Sequence, residues 1–434
     1  MKVRILTAIL FFNIFILSPT RAQPSLMDLP DDVLRHITRY GIVKKLRVVN
    51  HRLSRIASEP EYRLVKIFDP ISGWRQIGEA LQLKPPYPIK HVCLKDKAVN
   101  ILEKVIQYQP YIISLNLNSI SSDHEVNPET LIHLKNLSEL KHLSITNLKP
   151  GQGEKDLSTL MDVIGRLSSL SLHFSSSLKN VNFLTHANNL KELDLNGNIE
   201  LWDITGISSI VSNLECLDLS ETAITHINPL KQAIRLKELR LSRLSIYRNG
   251  YQLLNIDALS STMSCLRCLD LSVGNLKDFT LFARAMNLEV LDIGGSRAFK
   301  DLNLINPILP KLRKLVLSAT GIIDFQPLQK ASRLTELDIS NTAITNLSPL
   351  LLIIPNLITL SIDEDQIRDI AMLKQAKYLR KLSLFGNNAI KDISTLIDLT
   401  KEGMLKEVIL FRCYFIDESD IEKLRKANPA LKVE

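Results

Sequence analysis

The residues whose types suggest chemistry are few and poorly grouped. Cys265-Leu-Arg-Cys268 has the two-residue gap of half a zinc site, but no second ligand pair accompanies it. The apolar–polar alternation around Cys268 assigns it the same strand position as Cys216, two strands and about 10 Å away, beyond disulfide reach. Gly151-Gln-Gly153 lacks the third glycine and the strand-turn-helix setting of a phosphate cradle. All nine histidines lie at or before His226, and no His-Glu-x-x-His occurs. Carboxylates recur at regular intervals, which without a pocket is poor support for acid–base catalysis. The sequence therefore predicts no enzyme activity, no metal and no cofactor.

The carboxylates are regular because the elements that carry them are. The 434 residues are 45% hydrophobic and 23% charged, which excludes a largely disordered chain. One pattern recurs from Ile89 onward: an apolar residue, two variable residues, an apolar residue, one variable residue and another apolar residue. Clear copies are Leu190-Lys-Glu-Leu-Asp-Leu195, Leu214-Glu-Cys-Leu-Asp-Leu219, Leu266-Arg-Cys-Leu-Asp-Leu271 and Leu334-Thr-Glu-Leu-Asp-Ile339. Starts fall at 89, 112, 140, 167, 190, 214, 236, 266, 288, 312, 334, 357, 379 and 405, a spacing of 22 to 30 residues. Within each copy a short strand sends residues such as Leu217 and Leu219 inward and Cys216, Asp218 and Ser220 outward. Beyond it, Ile224, Ile227 and Leu230 supply more apolar residues, matched by Ile322, Phe325 and Leu328 and by Ile344, Leu347 and Leu350. No repeat can bury these alone, so stacking must create one continuous core. A column of Asn198, Thr222, Thr320, Thr342 and Asn387 follows the strands, suited to bonding buried backbone groups of the turns.

The pattern resembles leucine-rich repeats. The steps Asn228-Pro-Leu, Gln326-Pro-Leu and Ser348-Pro-Leu, with Thr342-Ala-Ile-Thr-Asn-Leu-Ser-Pro-Leu350, make residues 190 to 400 similar to the roughly 22-residue repeats of the bacterial internalin class. The resemblance implies an α/β solenoid, a leucine-rich-repeat horseshoe of about 14 repeats spanning 89–434. Function in such a solenoid is expected on the concave sheet face, whose outward side chains the core does not need. That face reads Glu192, Asp194, Asp218, Glu238, Arg240, Asp270, Asp292, Lys314, Glu336, Asp338 and Asp363, nine acidic residues and two basic. It is expected to bind a basic segment of another protein. The first rungs instead offer His91, Ser114, Asn116, His142, Ser144 and His173. The 30-residue repeat beginning at 236 carries Tyr247-Arg248-Asn249-Gly250-Tyr251, a turn expected to expose Tyr247, Arg248 and Tyr251 as further contacts.

The N-terminal region differs. Lys2 and Arg4 precede an apolar run from Ile5 to Leu17, and Thr20-Arg21-Ala22 supplies a cleavage site, so residues 1–22 read as a secretory signal peptide. Its removal predicts an exported protein without stable membrane insertion. Residues 25–68 show helical periodicity in Val33, Leu34 and Ile37 and again in Leu46, Val49, Leu53 and Ile56. Residues 69–88 then link or cap. The stretch Leu29-Pro30-Asp31-Asp32-Val33-Leu34 with Ile37, Val48, Val49 and Asn50 resembles an F-box. That resemblance implies docking on a Skp-type subunit of a cullin ubiquitin ligase through Leu29, Pro30, Leu34, Ile37 and Val49. Two functions follow: an effector-like substrate adaptor acting in a host's cytoplasm, or an exported internalin-like binding protein with a helical cap. The net charge of +8 is concentrated at this end: residues 1–22 carry +3 and residues 25–68 carry +4. The repeats are left near neutral overall, and the basic segment has few stacking aromatics, so no nucleic acid or other anionic partner is expected.

Overall fold

The computed structural model describes residues 64–67, 91–95, 102–108, 111–118, 126, 128–148, 157, 160–175, 178–244, 255–273, 276–401 and 403–434. The expected signal peptide, the F-box-like residues Leu29, Pro30, Leu34, Ile37 and Val49, and the loop residues Tyr247, Arg248 and Tyr251 lie outside these. The chain divides into two compact units, 1–170 and 171–434.

In the first unit, strands β1 (Leu64–Ile67), β2 (His91–Lys95), β3 (Ser114–Asn118) and β4 (His142–Thr146) pair in parallel, in sequence order. Parallel neighbours need a crossover. Helix α1 (Leu102–Tyr108) supplies one and buries Leu102, Val105 and Ile106. A 3-10 segment, Pro128–Asn136, supplies another and buries Leu131 and Leu134. The sequence placed the first repeat at 89. Strand β1 shows that the ladder already includes residues 64–67, at the end of the 25–68 segment.

The second unit repeats one design. From β5 (Ser169–His173) it runs through β6 (Glu192–Asp194), β7 (Cys216–Asp218), β8 (Glu238–Arg240), β9 (Cys268–Asp270) and β10 (Val290–Asp292). It continues through β11 (Lys314–Val316), β12 (Glu336–Asp338), β13 (Thr359–Ser361), β14 (Lys381–Ser383), β15 (Glu407–Ile409) and β16 (Lys432–Val433). Each of the fourteen repeat starts lies two residues before a strand, from β2 to β15. This is the leucine-rich-repeat solenoid that the spacing predicts.

Three-residue strands suffice because those from β6 to β13 each contribute one inward leucine between two outward residues. Leu193, Leu217, Leu239, Leu269, Leu291, Leu315 and Leu337 stack in register and are almost wholly buried. Ile224, Ile227 and Leu230, and their counterparts in the later repeats, complete the core as expected. The return segments are mostly short 3-10 turns such as Asn228–Gln232, Gln326–Lys330 and Ser348–Leu350, each with proline near its start. Their first backbone N–H groups find side-chain acceptors: Asp278 Oδ1 accepts from Thr280 N at 2.9 Å, and Asp324 Oδ1 from Gln326 N at 2.9 Å. The last repeats use longer helices, α2 (Ser394–Lys401) and α3 (Glu418–Ala427).

One expectation fails here. Ser220 is buried rather than outward, because the chain leaves the strand at Leu219 and turns through Glu221 at φ 55°. Its hydroxyl accepts from Ser242 N of the next repeat at 3.3 Å.

Candidate functional site

Strand register aligns the outward residues of the second unit into two columns. The first runs Glu192, Cys216, Glu238, Cys268, Val290, Lys314, Glu336, and the second Asp194, Asp218, Arg240, Asp270, Asp292, Val316, Asp338. The expected face residues from Glu192 to Asp338 are thus brought together. They place eight carboxylates against two cations over seven strands. The cations are partly committed: Arg240 Nη2 lies 3.0 Å from Glu238, and Lys314 Nζ 3.6 Å from Glu336. Asp363 stands further along its repeat. Its Oδ1 accepts from Phe385 N at 2.9 Å and from the Ser383 hydroxyl at 2.5 Å.

The aspartates have a local reason to recur. Oδ1 of Asp194, Asp218, Asp270, Asp292 and Asp338 accepts the backbone N–H two residues later, at 2.9–3.0 Å, and so shapes the turn out of each strand. One oxygen is therefore structural and the other faces outward. Asp194 Oδ2 lies 3.2 Å from His173 Nε2. Burial raises the Asp194 carboxyl above its ordinary range. Burial also lifts Asp292 to about 6, against the bond from Gly294 N and with Asp270 adding repulsion.

Cys216 and Cys268 sit two strands apart in the first column, as predicted, and both are free thiols. Burial pushes both thiols up, the opposite of what a reactive or metal-binding thiolate needs. Among the described residues no cluster of three metal-ligating side chains occurs, and no helix is long and apolar enough to cross a membrane.

Behind the strands runs the predicted polar column. Asn198 accepts from Ser175 N at 2.9 Å and donates to Leu172 O and Leu195 O at 2.7 and 2.5 Å, closing three backbone groups across two repeats. Thr222 and Thr320 reach only their own repeats, donating to Leu219 O and Leu317 O at 2.7 and 2.6 Å. Sequence reading missed a member of this column. Asp365 lies 23 residues after Thr342 and 22 before Asn387, a spacing that could have found it. Its Oδ1 accepts from Thr342 N at 2.8 Å, whereas its Oδ2 is buried with no partner. Asn198 presents an amide NH2 at the equivalent place. Burial lifts the Asp365 carboxyl to about 7, despite the Thr342 bonds and with Asp363 and Asp338 opposing ionisation.

Sequence also missed the turn residue that follows each strand. Glu221, Arg243, Val273, Ala319, Asn341, Glu364 and Arg412 take positive φ alongside Gly197, Gly295 and Gly386. Only the glycines signal this conformation in the sequence. From Glu221 to Glu364 it persists because the N–H bonds the next turn, as Glu221 N to Ser242 O at 2.9 Å and Ala319 N to Ser340 O at 2.9 Å.

No family model matches the chain, and no curated protein does. Solved structures do. An internalin from Listeria monocytogenes is similar at 21% identity, with a TM-score of 0.54, covering 77% of this chain and 93% of that one. A leucine-rich-repeat protein from Leptospira interrogans is similar at 18% identity, with a TM-score of 0.52, over 85% of this chain and 99% of that one. The ectodomain of the plant receptor kinase GASSHO1/SCHENGEN3 from Arabidopsis thaliana, solved in complex with Casparian strip integrity factor 2, is similar at 19% identity. Its TM-score is 0.50, and the match covers 79% of this chain and 43% of that one. At these identities the likeness is one of fold.

Proposed function

We propose that this protein is a non-enzymatic binding protein whose outward strand face in the second unit takes a basic segment of another protein. The observation that carries this is the aligned carboxylate column. Five aspartates each spend one oxygen on their own turn and turn the other outward, with only Arg240 and Lys314 to offset them. Charge of one sign spread over several rungs steers and selects an oppositely charged partner. The probe is a fluorescein-labelled peptide rich in lysine and arginine. Changing Asp218, Asp270 and Asp292 together to Asn is expected to weaken it about tenfold and to flatten its salt dependence. Unchanged affinity and salt response would sink the reading.

A second reading rests on the F-box resemblance of residues 25–68. It makes the repeats the target-selecting part of a ubiquitin-ligase adaptor, delivered to a host's cytoplasm after export. Its support is the motif Leu29-Pro30-Asp31-Asp32-Val33-Leu34 with Ile37 and Val49. Recovery of a Skp-type subunit with the full chain, lost on changing Leu29 and Pro30 to Ala, is the expected result. Failure of the folded protein to recover it leaves the binding protein without the ubiquitin role.

A further inference from the structure

A second charged surface lies along the other end of the strands, at the residues that precede them. There the column runs Lys191, Glu215, Lys237, Arg267, Glu289 and Arg313, and most of its charges pair between rungs. Glu215 is held by Lys191 at 3.7 Å and Lys237 at 2.5 Å, and Arg313 by Glu289 at 3.5 Å. Past Arg313 the pairing stops. Thr335 and Ile358 follow, and where Arg380 arrives no carboxylate faces it. A groove of about 420 Å³ opens at this place. Arg313, Arg333 and Arg380 line it, Ile358 and Tyr378 form an apolar floor, and its other lining residues are uncharged. Tyr378 is 55% exposed and Ile358 39%. Neither Arg333 nor Arg380 makes an ion pair among the described residues. Three arginines thus line one concavity, and of them only Arg313 makes an ion pair, with Glu289.

The geometry points to a binding site for an extended acidic segment of a partner protein, with two carboxylates three residues apart seated on Arg333 and Arg380. Arg333 stands three residues before β12 and Arg380 one before β14, so the two are two rungs, about 10 Å, apart across the ladder and about two residues offset along it, roughly 12 Å in all. A polyproline-type segment advances about 9.3 Å in three residues and returns the third to the same face, a span on which two long guanidinium side chains can close. Guanidinium forks favour carboxylates in bidentate pairs. The intervening side chains would lie on Tyr378 and Ile358. A near-neutral total charge for the repeats conceals this site, because the carboxylates that balance it stand on the other surface.

The test uses the full chain and a labelled nonapeptide containing Glu-Pro-Pro-Glu, followed by fluorescence anisotropy. Arg333→Ala with Arg380→Ala is expected to weaken binding at least tenfold without moving the melting temperature, since both side chains are exposed. Lysine at both positions should restore only part of it. The Gln-Pro-Pro-Gln peptide should fail to bind, and Asp218→Asn with Asp270→Asn and Asp292→Asn should leave affinity unchanged. That last result separates this site from the basic-segment face. The inference is overturned if the wild-type chain does not bind at millimolar peptide, or if the double alanine variant binds equally. It is also overturned if Glu-Pro-Glu binds as well as Glu-Pro-Pro-Glu, or if inorganic phosphate competes as well as unlabelled peptide.

Discussion

Asp194 and Asn198 stand four residues apart in one repeat, and both bond backbone N–H groups, yet they serve opposite ends. Asn198 is wholly buried and spends every polar atom on the chain, joining its own repeat to the one before. Asp194 is half-exposed, spends one oxygen on Asn196 N and keeps the other for His173 and solvent. The same contrast recurs between Thr320 and the outward Asp338. An interior column must be satisfied by the protein itself, because no water reaches it. An outward column can leave valences for a partner. Asp365 is a case where the two rules collide: a carboxylate stands in the interior column, where its Oδ2 finds nothing, and in the next repeat the Asn387 Oδ1 is likewise left without a partner.

The sharpest break of this contrast is Asn198→Ala. It strands the Leu172 and Leu195 carbonyls and the Ser175 N–H in the interior, and an expected loss of about 3–5 kcal/mol should appear in urea unfolding. The triple Asp→Asn change on the outward face keeps an acceptor for each turn N–H and should cost less than about 1 kcal/mol by the same measurement.

Asp365→Asn should run the other way. The unfolded chain ionises Asp365 at the ordinary value near 4, while the folded chain holds the proton to about 7. The contribution of this carboxyl to stability is therefore fully present below about pH 4 and is lost as pH rises through 7. Asparagine supplies the missing donors at every pH, so the variant is expected to gain about 2 kcal/mol at pH 8 and almost nothing at pH 4. Equal gains at both pH values would show that ionisation is not the cause.

The smallest effect belongs to the outward column. Protonation of Asp292 near pH 6 removes a charge from the face that Asp270 and Asp338 share with Lys314. Binding of the lysine- and arginine-rich peptide should fall two- to threefold between pH 7.5 and 5.5, and Asp292→Asn should abolish that dependence.

Much of this was legible in the chain. Leu217 and Leu219 announce an inward pair by their alternation, and Asn198 and Thr222 announce the polar column by falling at one offset from it. Ser220 did not, because alternation ends where the backbone turns, and Glu221 carries no sign of its positive φ. The groove at Arg333 and Arg380 was illegible for another reason. Neither residue has a distinctive sequence neighbour, and the significance lies in the carboxylate that fails to face them.

The sequence by itself determined that the chain repeats, that each repeat holds a short strand, and which leucines fill the core. It could do so because those facts depend on residues within one repeat of 22 to 30. The tertiary structure decided which charges are neutralised and which are left to a partner. In a parallel ladder a side chain's neighbours come from adjacent repeats, so pairing depends on the register between strands, and register is set by stacking rather than by local spacing.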